Sequence, residues 1–253
     1  TELALGDESS GITRSSVPDA DWIPSEGDRV GPYRLVELLG EGFSGPVYRA
    51  LHAVMGSNHA IRFLDRECAA DEAFAYRFHW ERDVHRELDH PNIRRLVNAG
   101  TERGLAYLVF DYVAGTDLGR LVHTGGPLAL DNMLYLGLRV CDALSHVHSL
   151  KYIHRAVTPT ALLVPEDGHV RLADFHLAEQ AGDEKSATLL DADISAFDLS
   201  FRAPELFATP AVGSPATDAY GVCATMTFGL TGRTLFDASR PDLLPASIRN
   251  KVP

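Results

Sequence analysis

The 253-residue sequence predicts an α+β fold in two lobes, an antiparallel β-sheet lobe with one helix followed by a mainly helical lobe. Three observations predict it. Short runs rich in β-branched and aromatic residues, punctuated by glycine turns, fill the stretch up to residue 113. One charged amphipathic segment interrupts them. Beyond residue 113 the apolar residues recur at helical spacing in two long segments. The chain is long enough to bury a sizeable core, and a cleft is expected where the lobes meet.

Each element follows in order. Residues 1–30 read as a flexible, Ser- and acid-rich lead-in, from which Trp22 and Ile23 could dock on the folded body. Tyr33–Leu39 reads as a strand, then a glycine-rich turn, then Pro46–Ala50 as its partner, with His59–Leu64 as a third strand. A helix is expected over Asp71–Leu88, stopping before His90-Pro91 because proline disfavours a helical residue ahead of it. Strands follow at Ile93–Ala99 and Leu105–Tyr112, closing a first lobe over 31–113. In the second lobe, 114–253, Asp131–Ser149 carries Met133, Leu134, Leu136, Leu138, Val140, Cys141, Leu144 and Val147, a largely buried helix. Ala161–Val164 and His169–Leu172 form a hairpin around the turn-forming pair Asp167-Gly168. Residues 176–202 read as a long loop, and Asp218–Leu230 as a buried helix ended by Gly232.

Composition excludes several roles. A formal net charge of −12 argues against nucleic acid or an anionic membrane surface, both of which attract basic patches. No apolar run approaches the roughly 18 residues of a membrane-spanning helix, and no basic-then-apolar leader opens the chain. The expectation is a cytoplasmic protein without membrane insertion. Cys68, Cys141 and Cys223 fit no metal spacing and read as buried thiols in a reducing compartment. His146, His148, His154, His169 and His176 read as core and surface histidines, not a metal cluster.

Gly40-Glu41-Gly42-Phe43-Ser44-Gly45-Pro46-Val47 fits G-x-G-x-x-G-x-V. Alone the motif is a weak sign of phosphate binding. A dinucleotide fingerprint needs a helix directly after the glycines, whereas a strand follows here. Glycines between two strands make a flap whose N–H groups can approach phosphate oxygens without obstruction by Cβ.

Further landmarks follow in order: Ala60-Ile61-Arg62, Glu81 ahead of His90-Pro91-Asn92-Ile93, the run Leu108–Val113, His154-Arg155, Asp174-Phe175 and Ala203-Pro204-Glu205. From about residue 31 to 240 this set resembles the protein kinase superfamily, in the style of bacterial Ser/Thr kinases. The resemblance implies a bilobal protein-kinase-like fold with a second lobe that is apparently shortened, ending before the family's last helices. It also implies a nucleotide site of Gly40, Gly42, Gly45, Val47, Ala60, Arg62, Glu81, Phe110, Asp111, Val113, Leu163 and Asp174. Phe110 would be the gatekeeper, and Asp174 would hold a metal only together with nucleotide. His85, Leu96, His154 and Phe175 would form a stacked column, and Asp218 would anchor the loop carrying His154.

The pattern breaks at the catalytic loop. Where the family has His-Arg-Asp-x-Lys-x-x-x-Asn, this chain has Ala156, Thr158 and Ala161 for the aspartate, lysine and asparagine. Ala156 cannot accept or orient a hydroxyl, Thr158 carries no cation, and Ala161 cannot ligate metal. A positioned base is typically worth about 10²–10⁴ in rate, and no neighbouring side chain is an evident substitute. Arg62 replaces the strand lysine, and His176 the glycine after Asp174-Phe175. Asp198 falls near the threonine that normally bonds the loop's aspartate and lysine.

The expectation is therefore a pseudokinase, not an enzyme: a signalling module that regulates or scaffolds, engaging a protein partner or an active kinase. No cofactor is required, and ATP with Mg or Mn is an optional structural ligand. The alternative is residual or unconventional ATP-dependent Ser/Thr phosphotransfer or nucleotidyl transfer. Arg155 is expected to bridge one of the loop acids Asp183, Glu184, Asp191 or Asp193, with Ser186, Thr188, Ser195 and Ser200 as candidate phosphoacceptors. Glu205 has no evident cationic partner, so a homo- or hetero-oligomer covering the shortened lobe is expected.

Overall fold

The computed structural model describes residues 22–181, 195–208 and 211–236. The expected lead-in up to residue 21, the loop residues Asp183, Glu184, Ser186, Thr188, Asp191 and Asp193, and the chain beyond 236 lie outside the described residues.

The α+β, two-lobe expectation holds. The first lobe is one antiparallel sheet in the order β1-β2-β3-β4-β6-β5. Its strands are β1 (Arg29–Val30), β2 (Tyr33–Gly42), β3 (Gly45–His52), β4 (Asn58–Phe63), β5 (Leu96–Glu102) and β6 (Leu105–Asp111). Strand β4 is central and alternates sides. Ile61 and Phe63 enter a core with Trp22, Tyr33, Leu35, Tyr48 and Val109. Ala60 and Arg62, one residue out of phase, therefore face the other side, towards the cleft. Trp22 docks as expected, edge-on to Phe63 and hydrogen-bonded through Nε1 to Asp28, whereas Ile23 stays exposed.

Asp71 caps α2 (Glu72–Glu87) by accepting from the N–H groups of Ala73 and Phe74, and the helix stops where His90-Pro91 was expected to stop it. A five-residue helix, α1 (Arg66–Ala70), precedes it. The next strand starts later than expected. Ile93 leaves the sheet to bridge Leu172 of the second lobe, and Arg94 N–H and Leu172 N–H exchange bonds with Leu172 and Asn92 carbonyls.

In the second lobe, β7 (Gly115–Asp117) joins the hairpin β9 (Leu162–Pro165) and β10 (Arg171–Leu172) in a three-stranded sheet. Helices α3 (Leu118–Gly125), α4 (Leu130–Ser149) and, later in the chain, α6 (Pro215–Thr231) pack around a core that includes Leu118, Met133, Val140, Val147, Leu172, Phe175 and Phe228. Gly232 closes α6 at φ 68°, as the sequence predicts. Helix α4 is less buried than expected: Leu134, Leu138 and Cys141 lie on its exposed face. The cysteines are unbridged but not buried, since Cys141 and Cys223 are exposed and Cys68 is half-buried. The expected long loop contains β11 (Glu179–Gln180), paired with β8 (Tyr152–Ile153), and a short helix α5 (Ala196–Leu199). Among the described residues, no helix is long and apolar enough to cross a membrane.

Candidate nucleotide site

A cavity of about 630 Å³ opens between the lobes, within the range of small-ligand sites. Gly40, Gly42, Val47, Ala60, Arg62, Val113, Leu163 and Asp174 all line it. The sequence brings these together because the β2–β3 hairpin, the end of β4, the link after β6 and the β9–β10 hairpin all terminate at this cleft.

Four expected residues sit behind the wall. Gly45, at φ 136°, is where the hairpin turns back, and a Cβ there would stand 2.9 Å from the Phe63 carbonyl oxygen. Glu81, on α2, is fully buried and bonded to Arg62 Nη2. Phe110 lies under the Arg94 and Arg62 guanidinium groups, 4.6 and 5.6 Å from its centroid. Asp111 offers its backbone carbonyl to Arg94 Nε at 3.4 Å.

Arg62 is thus the hub of the cleft. Its Nη1 stands 3.6 Å from Asp174 Oδ1 while Nη2 binds Glu81. Burial pushes the Glu81 carboxyl up from its ordinary value, and the Arg62 charge pulls it back. Asp174 adopts a left-handed conformation, φ 62°, directly ahead of the turn Phe175–Leu177. A second cation, Arg94, is one the sequence did not single out. Burial lowers its pKa to about 10, opposed by Asp174. Nothing in Ile93-Arg94-Arg95 marked it, because a strand arginine usually faces solvent.

The stacked column forms. His85 contacts Phe110 and Phe175 at 5.1 and 4.9 Å, and His154 contacts Phe175 at 4.5 Å. Burial lowers the pKa of both histidines, and of His85 well below its ordinary value. Leu96 packs beside them against the cluster containing Phe110. His154 Nε2–H donates to the Ala173 carbonyl, which leaves Nδ1 to accept from the Ala156 N–H. Asp218 anchors this loop: Oδ2 accepts from His154 N–H at 2.9 Å and Oδ1 from Arg155 N–H at 2.7 Å.

Arg155 and Glu205 each have a partner that the sequence did not single out. Arg155 Nη1 pairs with Glu179 at 3.0 Å, an acid of β11 ahead of the loop acids expected for it. Glu205 accepts from the Thr217 hydroxyl at 2.7 Å, so its partner is neutral and local.

The residues fit a nucleotide better than a resident metal. The glycine turn, the apolar walls and two cations suit a base and phosphates, and the Asp174 carboxylate stands within the same cleft. Among the described residues no group of three or more His, Cys, Asp and Glu could hold a metal ion. Ala156, Thr158, Thr160 and Ala161 line the cleft floor together with Asp198, which sequence reasoning had placed only near lost partners. Thr160 donates its hydroxyl to Asp198 Oδ1 at 2.7 Å. Asp198 thus shares the lining of the cleft floor with Ala156.

Comparison with known proteins agrees with this geometry. The family described as "Protein kinase domain" matches residues 33–251. Serine/threonine-protein kinase PrkC of Bacillus subtilis is 28% identical over 82% of this chain and 31% of its own length. Serine/threonine-protein kinase PknH of Mycobacterium tuberculosis is 30% identical over 87% of this chain and 35% of its own. For PknE of the same organism the figures are 28%, 90% and 40%. The chain spans about a third of the length of the curated relatives it matches. These relatives are named as kinases, which overturns the expectation that the chain is no enzyme.

Proposed function

From the premise that this chain belongs to the protein kinase domain family, we propose that it binds ATP between its lobes and works as a regulatory kinase domain with slowed Ser/Thr phosphoryl transfer. The observation that supports this reading is the cleft itself: the glycine turn above, Leu163 below, and Arg62 set between Glu81 and Asp174. Nucleotide bound there would favour one closure of the lobes, because a ligand shifts a conformational equilibrium by its differential affinity for the two states. The closed shape is what a protein partner, such as an active kinase, would read. Mg²⁺ or Mn²⁺ carried with the nucleotide would find Asp174 as its protein ligand, and Ala161 offers no second one.

Transfer would be slow because Ala156 and Thr158 supply neither a base nor a cation at their own positions. The binding test is a thermal-shift titration with ATP, ADP and GTP, with and without Mg²⁺ and Mn²⁺. At 100 times Kd a ligand adds about 2.7 kcal/mol of stability, an easily read shift. The shift should vanish in Arg62→Ala and lose its metal dependence in Asp174→Ala. A melting curve unmoved by any nucleotide would overturn the proposal.

A further inference from the structure

Asp198 is out of place in an ordinary surface helix. It belongs to the short helix α5, which Phe197 fixes by packing against Phe201 and Phe228 at 5.0 and 5.4 Å. From there its carboxylate reaches the cavity floor beside Ala156, Thr158 and Thr160. Both oxygens are held: Oδ1 by the Thr160 hydroxyl at 2.7 Å and Oδ2 by the Ser195 hydroxyl at 2.6 Å. Because Thr160 spends its only proton on Asp198, the 2.8 Å contact between Thr158 and Thr160 runs the other way, with Thr158 donating. The chain of hydroxyls thus points its protons at one carboxylate. An ionised carboxylate has about four lone-pair sites, so two remain for an incoming donor.

We propose that Asp198 is the catalytic residue that orients and deprotonates the acceptor hydroxyl, acting from the loop beyond Asp174 in place of the aspartate that Ala156 lacks. This rests on the reading that ATP occupies the cleft. In the step, the oxygen of a Ser or Thr side chain forms a bond to the γ-phosphorus and the bond from that phosphorus to the β-phosphate bridging oxygen breaks. ADP leaves, and the hydroxyl proton passes to Asp198. Thr160 and Ser195 are positioning residues that set the carboxylate's rotamer.

The test uses the whole chain with Mg²⁺ and γ-labelled ATP, following label transferred to dephosphorylated casein and to the protein itself. ATP affinity is measured separately by calorimetry. Asp198→Asn should lower transfer by about 10²-fold while leaving Kd for ATP within about twofold. Adding Ala156→Asp to that variant should recover at least about tenfold, which a structural role for Asp198 would not produce. Should Asp198→Asn not fold, Thr160→Val, which removes one hydrogen bond and keeps the carboxylate, should lower transfer severalfold. Transfer unchanged in these variants would overturn the role of Asp198 alone, whereas a parent protein that binds ATP and transfers nothing would overturn that role and the slowed transfer, leaving the nucleotide site standing. An unmodified protein that binds no ATP would overturn the cleft reading and this proposal together.

Discussion

Phe43 and His176 lie face to face, ring centroids 4.0 Å apart and planes 17° from parallel. His176, the residue after Asp174-Phe175, therefore holds the tip of the glycine-rich turn. Arg62 adds to the clasp, with its guanidinium carbon 4.8 Å from the Phe43 centroid. The turn is thereby tied to the residues on either side of the cleft.

His176→Gly should release this clasp. An aromatic pair is worth about 0.5–1.5 kcal/mol, so the turn should open more often by roughly a factor of 2 to 10. Amide hydrogen exchange at residues 40–45 is expected to quicken accordingly. Exchange at the parent rate would mean that Phe43 is held by something other than His176.

The Arg62–Glu81 pair is buried on both sides, with side-chain exposures of 5% and 1%. Removing Glu81 leaves the buried Arg62 with the longer 3.6 Å contact to Asp174 to balance its charge. Glu81→Ala should cost about 3–5 kcal/mol in urea unfolding, whereas Arg62→Met combined with Glu81→Leu should cost much less. Equal losses in the two proteins would show that packing, not charge, dominates there.

Acid sensitivity follows from two buried histidines. Burial lowers the pKa of His85 and His176 well below 6.5, and the Arg62 charge lowers both further. The folded chain keeps them neutral while the unfolded chain takes up protons near pH 6.5. Their contribution to stability is thus complete above that pH and declines as pH falls below it. Neither nitrogen of His85 has a hydrogen-bond partner among the described residues, although Nε2 is 3.8 Å from Glu81 Oε1. His85→Leu should flatten the fall in melting temperature between pH 7 and pH 5. An unchanged slope would remove His85 from this account.

Asp218 holds the loop of His154 and Arg155 by two backbone N–H bonds and also accepts from His148 Nε2 at 2.7 Å. Hydrogen bonds to charged groups contribute roughly 1.5–3 kcal/mol each, so Asp218→Ala should lose about 3 kcal/mol or more. Denaturant midpoints would measure this, and a loss below about 1 kcal/mol would contradict the anchoring role.

The strand pattern around residues 33–64 was legible because alternation on β4 follows from a backbone period of two, which sends Ile61 and Phe63 to one face and Arg62 to the other. Helix α2 was legible from Asp71 and from the proline beyond it. The start of β5 was not, since Ile93 answers to Leu172, far away in sequence. The exposure of Leu134 and Leu138 was equally hidden, because helical period shows which residues share a face but not what packs on it. For the cleft, eight of the expected residues converge as the motif order implies, while Gly45, Glu81, Phe110 and Asp111 support it from behind. Arg94 and Asp198 are cleft residues that the linear pattern does not mark, and neither Glu179 beside Arg155 nor Thr217 beside Glu205 is legible from spacing.

What the sequence determined by itself is the order of the landmarks and the identity of the side chains at Ala156, Thr158 and Ala161. Such features depend on residue identity and short spacing, which a linear reading contains. Only the tertiary structure decided what stands beside those positions. Thr160 meets Asp198 across 38 residues of chain, and His176 meets Phe43 across the cleft between lobes. Contacts of that kind are set by how whole elements pack, and local pattern carries no record of them.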